Sequence, residues 1–428
     1  MKMMWLVNLP LPDAAKALAL DVPDTGSWIT GQVNGIKRHA EIELTVLAPS
    51  ILVREEKRIV CDNITYLVFP VQKNYRSLFR RLLDEVRPHV VHIFGTEYTH
   101  TWDMMQEADA ANTVISIQGM LFVCAQQYLY GLPRRYTHRN PLKVLMSRVY
   151  CGDDIKDNQL LFLKNAQAER KTLQIAKHVI GRTDWDKACA LQLNPHLQYH
   201  FCNEILRDSF YSGVWNIDAC QRHSILISQG KYPIKGLHLF LPVLAELVKD
   251  YPDIMVNIAG TPPVTSNNAI VRAGVSFFFE YQSYCQKLMR RYGIEKHICF
   301  IGVLNEKEMK EQYLKTHVFV SCSTIENESN SISEAKILGT PVVASFVGGV
   351  TSRIEQGKDG FVYPLSESNM ATYYIRCLFE DDTLCMRISQ AARQKAAVVN
   401  NREANLQALL HIYDTVQIQT ISDRKGIL

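Results

Sequence analysis

At 428 residues the chain is too long for one ordinary hydrophobic core, and two domains of similar size are expected. Its composition, 47% hydrophobic and 21% charged with no low-complexity tract and no internal repeat, is that of a globular protein. A net charge of +4, from 47 basic against 43 acidic side chains, is too mild to mark a nucleic-acid binder.

The N-terminal "MKMMWLVNLPLP" reads as a first β-strand and is too short for a signal peptide. No stretch approaches ~20 uninterrupted apolar residues, so no membrane span is expected. The eleven cysteines are scattered without C-x-x-C or clustered histidines, which suits buried thiols in a cytoplasmic protein better than disulfides or zinc. Strand candidates then alternate with amphipathic stretches: "MWLVNL", "LTVLAP", "VVHIFG", "VISIQG" and "HVIGRT" in the first half. In the second half they are "SILISQG", "IMVNIAG", "ICFIG", "VFVSCS" and "PVVAS". Continuous apolar runs separated by helices predict parallel strands buried on both faces, hence two doubly wound α/β domains.

The rhythm breaks between Asp208 and Gln221. Domains are therefore expected at 1–210 and 211–398, with an amphipathic C-terminal helix and tail at 399–428 packing back across the junction. An insertion at about 121–160 carries Arg134, Arg135, Arg139, Lys143 and Arg148 among aromatics. It reads equally as a ligand- or membrane-facing segment, in contact with an anionic surface, and as a solvated helical excursion.

"RTDWDKA" holds Asp184 and Asp186 in a D-x-D pattern, but at a strand end opening a helix it reads as an N-terminal acid rather than a metal site. Glu97 and His100 in "FGTEYTH" follow a strand, where they line an acceptor side or serve structure.

The densest chemistry lies in "STIENESNSISEAKILGTPVVASFVGG", where seven residues separate Glu326 from Glu334. Ser331 and Glu334 spell an S-x-x-E capping box, which explains Glu334 without a ligand and leaves Glu326 unexplained. A strand end, a small polar loop and a helix N-terminus make an anion site, and flanking carboxylates suit sugar hydroxyls. The reading is a nucleotide-sugar pocket.

These residues resemble the donor-site signature of retaining glycosyltransferases of family 4, which have the two-Rossmann GT-B fold. "ISQGKYPIKGLHLFLPVLAEL", "YPDIMVNIAG", "FIGVLNEKEMKEQY" and "VGGVTSRIEQGKDGFVYP" continue the likeness, which is dense over 224–364 and thinner before. The resemblance implies two doubly wound domains facing a central cleft, and transfer of a sugar from a nucleotide-diphosphate sugar to an acceptor hydroxyl. It implies that Glu334 binds the ribose, Glu326 faces the donor sugar, and Lys235 neutralises the leaving diphosphate. The amides of Asn330, Ser331 and Ile332 would hold the diphosphate or sugar. Glu328 is a bystander.

The chain departs from the pattern in three places. The arginine before the phosphate lysine is missing, with Lys231 nearby as its substitute. The first-domain glycine pair is Gly26 and Ser27, and the histidine after "VISI" is Gln118.

The acceptor implied is a glycan or lipid-linked molecule of the cell envelope, reached from the cytoplasm, with no metal, cofactor or nucleic acid. A GT-B nucleotide-sugar epimerase lacks an evident acid–base set here, and a degenerate sugar-binding subunit is opposed by the intact Glu326, Glu334 and Lys235. A dinucleotide oxidoreductase is a weaker reading still, since no G-x-G-x-x-G follows a strand.

Overall fold

The computed structural model describes residues 1–21, 27–138, 155–263 and 279–426. Gly26, Arg139, Lys143 and Arg148 lie outside the described residues. The chain divides into two compact units. The first comprises Met1–Phe122, Asn165–Asp208 and Val399–Leu428, the second Val123–Lys164 and Ser209–Val398.

The division at 208/209 falls at the sequence break, and residues from 399 belong to the first unit. The expected insertion differs. Residues 123–164, read from sequence as part of the first domain, belong to the second unit. The reason is specific pairing: His238 Nε2 bonds the Tyr130 carbonyl at 2.9 Å, and the Thr324 hydroxyl bonds that of Gln127 at 3.3 Å. The Tyr136 ring also packs 5.1 Å from that of Tyr284.

In the first unit eight strands form one sheet: β1 (Lys2–Leu6), β2 (Glu43–Ser50), β3 (Lys57–Cys61), β4 (Ile64–Pro70), β5 (Val90–Phe94), β6 (Thr113–Ser116), β7 (His178–Gly181) and β8 (Gln198–Phe201). The order is β3-β4-β2-β1-β5-β6-β7-β8, all parallel except the β3–β4 hairpin. That hairpin turns on Asp62 and Asn63, both at positive φ, as a two-residue turn between twisted strands demands.

The C-terminal helix Arg402–Gly426 completes this unit's core. Leu406, Leu409, Ile412, Tyr413 and Val416 are buried with Trp5, Val33 and Phe94. A Cβ on Gly35 would lie 2.8 Å from Leu406, so the helix Ser27–Ile36 approaches this closely because the residue is glycine. At the centre, the Tyr413 hydroxyl bonds His92 Nδ1 at 2.6 Å, and His92 Nε2 bonds Ser116 at 2.7 Å. Burial holds His92 neutral, with its pKa down to about 3.

The second unit's sheet has six parallel strands: β9 (Gln221–Ile227), β10 (Met255–Ile258), β11 (Ile298–Phe300), β12 (Thr316–Ser321), β13 (Val342–Ser345) and β14 (Phe361–Tyr363). Their order is β11-β10-β9-β12-β13-β14. The chain winds outward in opposite directions from β1/β5 in the first sheet and from β9/β12 in the second. Open α/β sheets bind ligands at the carboxyl ends of such strand pairs. No helix among the described residues is long and apolar enough to cross a membrane.

Tyr413→Phe removes a buried hydroxyl from a satisfied hydrogen bond, with an expected cost of about 1–2 kcal/mol in denaturant unfolding. An unchanged midpoint would show that the bond adds nothing to docking of the last helix.

Candidate functional site

At the β9/β12 switch point a turn, Pro233–Lys235, follows β9, and the loop 322–329 follows β12. Backbone hydrogen bonds join them: the Thr324 amide donates to the Ile234 carbonyl at 2.7 Å. Gly236 sits at φ +67, and a Cβ there would fall 1.8 Å from the Cys322 carbonyl oxygen. Only glycine permits this approach. A second glycine acts from the other side. Gly348 lies at φ +48 with its Cβ position 2.0 Å from the Glu326 carbonyl oxygen, which accepts the Gly349 amide at 3.0 Å.

The result is an ion pair between residues distant in sequence. Lys235 Nζ stands 2.5 Å from Glu326 Oε1, which also accepts the Ser323 hydroxyl at 2.8 Å. The side chains retain 22% and 14% of their exposure, so a ligand can reach both. Burial would lower the Lys235 pKa, but the attraction of Glu326 outweighs it and holds the ammonium above the ordinary lysine value.

Next to the pair is the helix Asn330–Leu338. Its N-cap is Ser329, without a side-chain cap, so the expected Ser331–Glu334 capping box is not formed: Ser331 lies inside the first turn. Glu334 is buried at 6% exposure and accepts a long hydrogen bond, 3.4 Å, from the Tyr313 hydroxyl. Of the three amides expected to face a ligand, that of Ile332 is tied to the Ser329 carbonyl at 3.0 Å. Those of Asn330 and Ser331 have no partner among the described residues. Glu328 is taken up by Arg353 at 3.0 Å, with 1% and 7% side-chain exposure. Below the helix, Lys336 pairs with Asp359 at 3.0 Å, and burial brings its pKa to about 8.

The β1/β5 switch point holds Glu97 and His100 together with Asn8, which follows β1. His100 Nε2 lies 2.9 Å from Asn8 Oδ1, and Asn8 Nδ2 donates to the Phe94 carbonyl at 3.0 Å. The Asn8 amide is thereby oriented, and His100 must donate through Nε2. Burial lowers the His100 pKa to about 4, so the ring is neutral. Glu97 Oε1 accepts the Gly119 amide at 2.9 Å. The Cβ position of Gly95, at φ +91, lies 2.1 Å from Glu97 Oε2 and 3.1 Å from Asn8 Nδ2. Burial, reinforced by the neighbouring Glu169 carboxylate and partly offset by backbone amides, lifts the Glu97 pKa to about 7. Glu169, from the helix Ile155–Ile175, accepts the Thr96 hydroxyl at 2.7 Å and two backbone amides, and burial raises it too to about 7.

Asn8, Gly95 and Glu169 escaped the sequence reading. Asn8 and Gly95 carry a weak signal, as the first polar or flexible residues beyond an apolar strand. Glu169 carries none, since an acid within a 21-residue helix reads as surface.

The remaining candidates are dispersed. Lys231 is exposed, forms no ion pair among the described residues, and lines a pocket of about 20 Å³ with Gly230, Ile258 and Gly260. Gln118 is half-buried, and the Arg182 guanidinium donates to the Ile117 and Gln118 carbonyls at 3.0 and 3.5 Å. Ser27 begins the helix Ser27–Ile36. Asp186 closes a capping box with Thr183 and accepts the Tyr199 hydroxyl at 2.5 Å, while Asp184 is a first-turn acid. No group of three His, Cys, Asp or Glu among the described residues is placed to hold a metal ion.

Residues 221–395 match the sequence model of the family described as glycosyl transferases group 1, a span that includes Lys235, Glu326 and Glu334. The chain is 23% identical over 184 residues to spore coat protein SA of Bacillus subtilis, covering 42% of this chain and 46% of that one. It is 26% identical over 166 residues to the D-inositol 3-phosphate glycosyltransferase of Corynebacterium urealyticum, covering 38% and 36%. The chain thus spans less than half the length of these curated relatives. Two solved structures share its fold over 97% of its length. Sucrose-phosphate synthase from Thermosynechococcus elongatus has a TM-score of 0.69 at 15% identity and is covered to 99%. Anabaena HepE in complex with UDP-glucose has a TM-score of 0.65 at 14% identity and is covered to 100%. The fold is GT-B.

Two outcomes follow from this geometry. Gly236→Ala should cost at least ~2 kcal/mol in denaturant unfolding, since an alanine must take up positive φ and displace the Cys322 carbonyl; near-neutrality would deny the close approach. Glu97 should make stability pH-dependent. Between about 4.5 and 7 the unfolded state releases this proton while the folded state keeps it, so stability falls as pH rises through that window. Glu97→Gln should remove about 1–3 kcal/mol of that loss; an unchanged slope of melting temperature against pH would refute it.

Proposed function

We propose that the chain is a retaining, metal-independent glycosyltransferase, of the family 4 kind, that moves a sugar from a nucleotide-diphosphate sugar to an acceptor hydroxyl in building a cell-envelope or exopolysaccharide glycan. The observation that carries this reading is the accessible Lys235–Glu326 pair at the β9/β12 switch point, beside the open amides of Asn330 and Ser331. A diphosphate needs positive charge that grows in value as it leaves, and a lysine with a helix N-terminus supplies it without reorganisation. The anomeric carbon becomes positive as its bond to the diphosphate opens, and a carboxylate such as Glu326 stabilises that charge. Glu334, on the same helix, is assigned to the ribose hydroxyls.

In the reaction, the anomeric carbon–oxygen bond breaks with its electron pair going to the diphosphate. The acceptor oxygen bonds to the same face of the sugar, and its proton passes to the leaving diphosphate. Cationic side chains and amides supply the positive charge, so no step calls for a metal. HepE was solved with UDP-glucose, and a uridine diphosphate sugar is accordingly the first donor to try. Glu97 and His100 are assigned to the acceptor side.

The test is a thermal-shift series with UDP-, GDP-, ADP- and dTDP-sugars, with and without EDTA. One donor class should raise the melting temperature equally in both conditions. Glu326→Gln should keep that shift and lose transfer by about 10²–10³-fold, whereas Glu334→Ala should weaken the shift itself. Wild-type turnover in Glu326→Gln, or a shift abolished by EDTA, would overturn the assignment.

A further inference from the structure

The first unit contains a pocket of about 430 Å³ that the donor chemistry leaves unused. It lies at the carboxyl edge of the sheet, where Asn8 follows β1, Ile51 and Leu52 follow β2, and Val71 follows β4. Tyr98 and His100 reach it from the start of the helix Thr99–Glu107. The volume is that of a small-molecule site.

Its walls are unusual for a free surface. Ile51, Leu52, Val71 and Tyr98 are 84%, 49%, 56% and 48% exposed, and all four line this one pocket. A single exposed apolar side chain is ordinary, but four converging from three loops form a patch that water covers at a cost. Two of the three loops also have an ordered base. The Leu52 amide bonds the Ser50 hydroxyl at 3.1 Å, and the Gln72 amide bonds the buried Tyr75 hydroxyl at 3.1 Å.

The other end of the pocket is polar and rigid. The His100 ring is stacked on Tyr98, with centroids 5.3 Å apart, and meets Tyr75 edge-on at 5.9 Å. Since Nε2 donates to Asn8, Nδ1 of the neutral ring is a hydrogen-bond acceptor, with no partner among the described residues. Among the described residues of the lining, Asp21 is the one formally charged side chain, and none is a lysine or arginine. A phosphate would find no cation among these residues, whereas a hydroxyl would find the His100 acceptor with hydrocarbon beside it.

We propose that this pocket seats the alkyl portion of an amphiphilic acceptor, a hydrocarbon chain over Ile51, Leu52, Val71 and Tyr98 with its sugar-receiving hydroxyl at His100. The assignment rests on the glycosyltransferase reading and specifies the substrate class of its acceptor side. A hydrophilic oligosaccharide would leave the four apolar side chains in water, and an anionic headgroup would meet no cation among the described lining residues.

The test titrates the full chain with methyl, butyl, hexyl and octyl β-glucosides, each below its micelle concentration, by intrinsic fluorescence or calorimetry. Affinity should rise about three- to fourfold per methylene. Ile51→Asp and Val71→Asp, on exposed loops, should weaken octyl glucoside at least tenfold and leave methyl glucoside and the donor-induced thermal shift unchanged. A flat chain-length series, or the same series in both variants, would overturn the proposal, as would tighter binding of a free oligosaccharide than of octyl glucoside. The two readings fail separately. A donor shift with a flat series removes the pocket assignment alone, and a steep series with no shift from any nucleotide sugar removes the glycosyltransferase reading while the alkyl site stands.

Discussion

Two backbone contacts set the second unit's chemistry. Gly236 lies against the Cys322 carbonyl and Gly348 against that of Glu326, each at a separation no side chain tolerates. Between them they fix where the turn after β9 ends and where the loop after β12 turns, so that Lys235 and Glu326 meet. The ion pair is a consequence of this clamp and a poor candidate for its cause. Partly exposed pairs contribute about 0–1 kcal/mol, less than the entropy of ordering two loops. A pair worth so little to the fold can be separated by a ligand at small cost.

The same architectural position recurs in the first unit with opposite chemistry. At β9/β12 the groups are a lysine held charged, a carboxylate and open helix amides, a set suited to an anion joined to a sugar. At β1/β5 they are a neutral histidine oriented by Asn8 and two carboxyls near 7, packed about Gly95. That set offers hydrogen bonds to neutral hydroxyls and little net charge. Both follow from strand order: where neighbouring strands send their chains to opposite sides, the loops part and leave room beyond the sheet.

How much of this was readable in the sequence depended on whether a residue's task was local. The central strands were readable because both of their faces are buried, giving continuous runs such as "VVHIF". The edges were not. β3 and β8 show "KRIVC" and "QYHF", with no fully buried position, and β14 has three residues. Glu326 could be singled out because no helix signal explained it. The Ser331–Glu334 box was misread by the same local logic, since the helix begins at Asn330 and takes Ser329 as its cap. Glu169 and the regrouping of 123–164 were beyond reach, because periodicity tells that a face is buried and is silent on what buries it.

The arrangement also bears on the missing arginine. In a site that relied on several cations for the diphosphate, losing a bidentate group would be severe. Here Lys235 is already neutralised by Glu326, so an arriving diphosphate meets a pair of zero net charge beside a helix terminus worth about half a positive charge. Attraction by charge alone is therefore modest, and under the proposed function the donor would be held largely by directional bonds: the amides of Asn330 and Ser331, and Glu334 at the ribose. As the sugar departs, the balance changes. In the proposed reaction, positive charge on the anomeric carbon would draw on Glu326, the diphosphate would gain the electrons that the sugar loses, and Lys235 would pass from one anion to the other. A pair that is neutral before reaction and divided during it stabilises the transition state more than the bound donor, which is the condition for raising the rate rather than only the affinity.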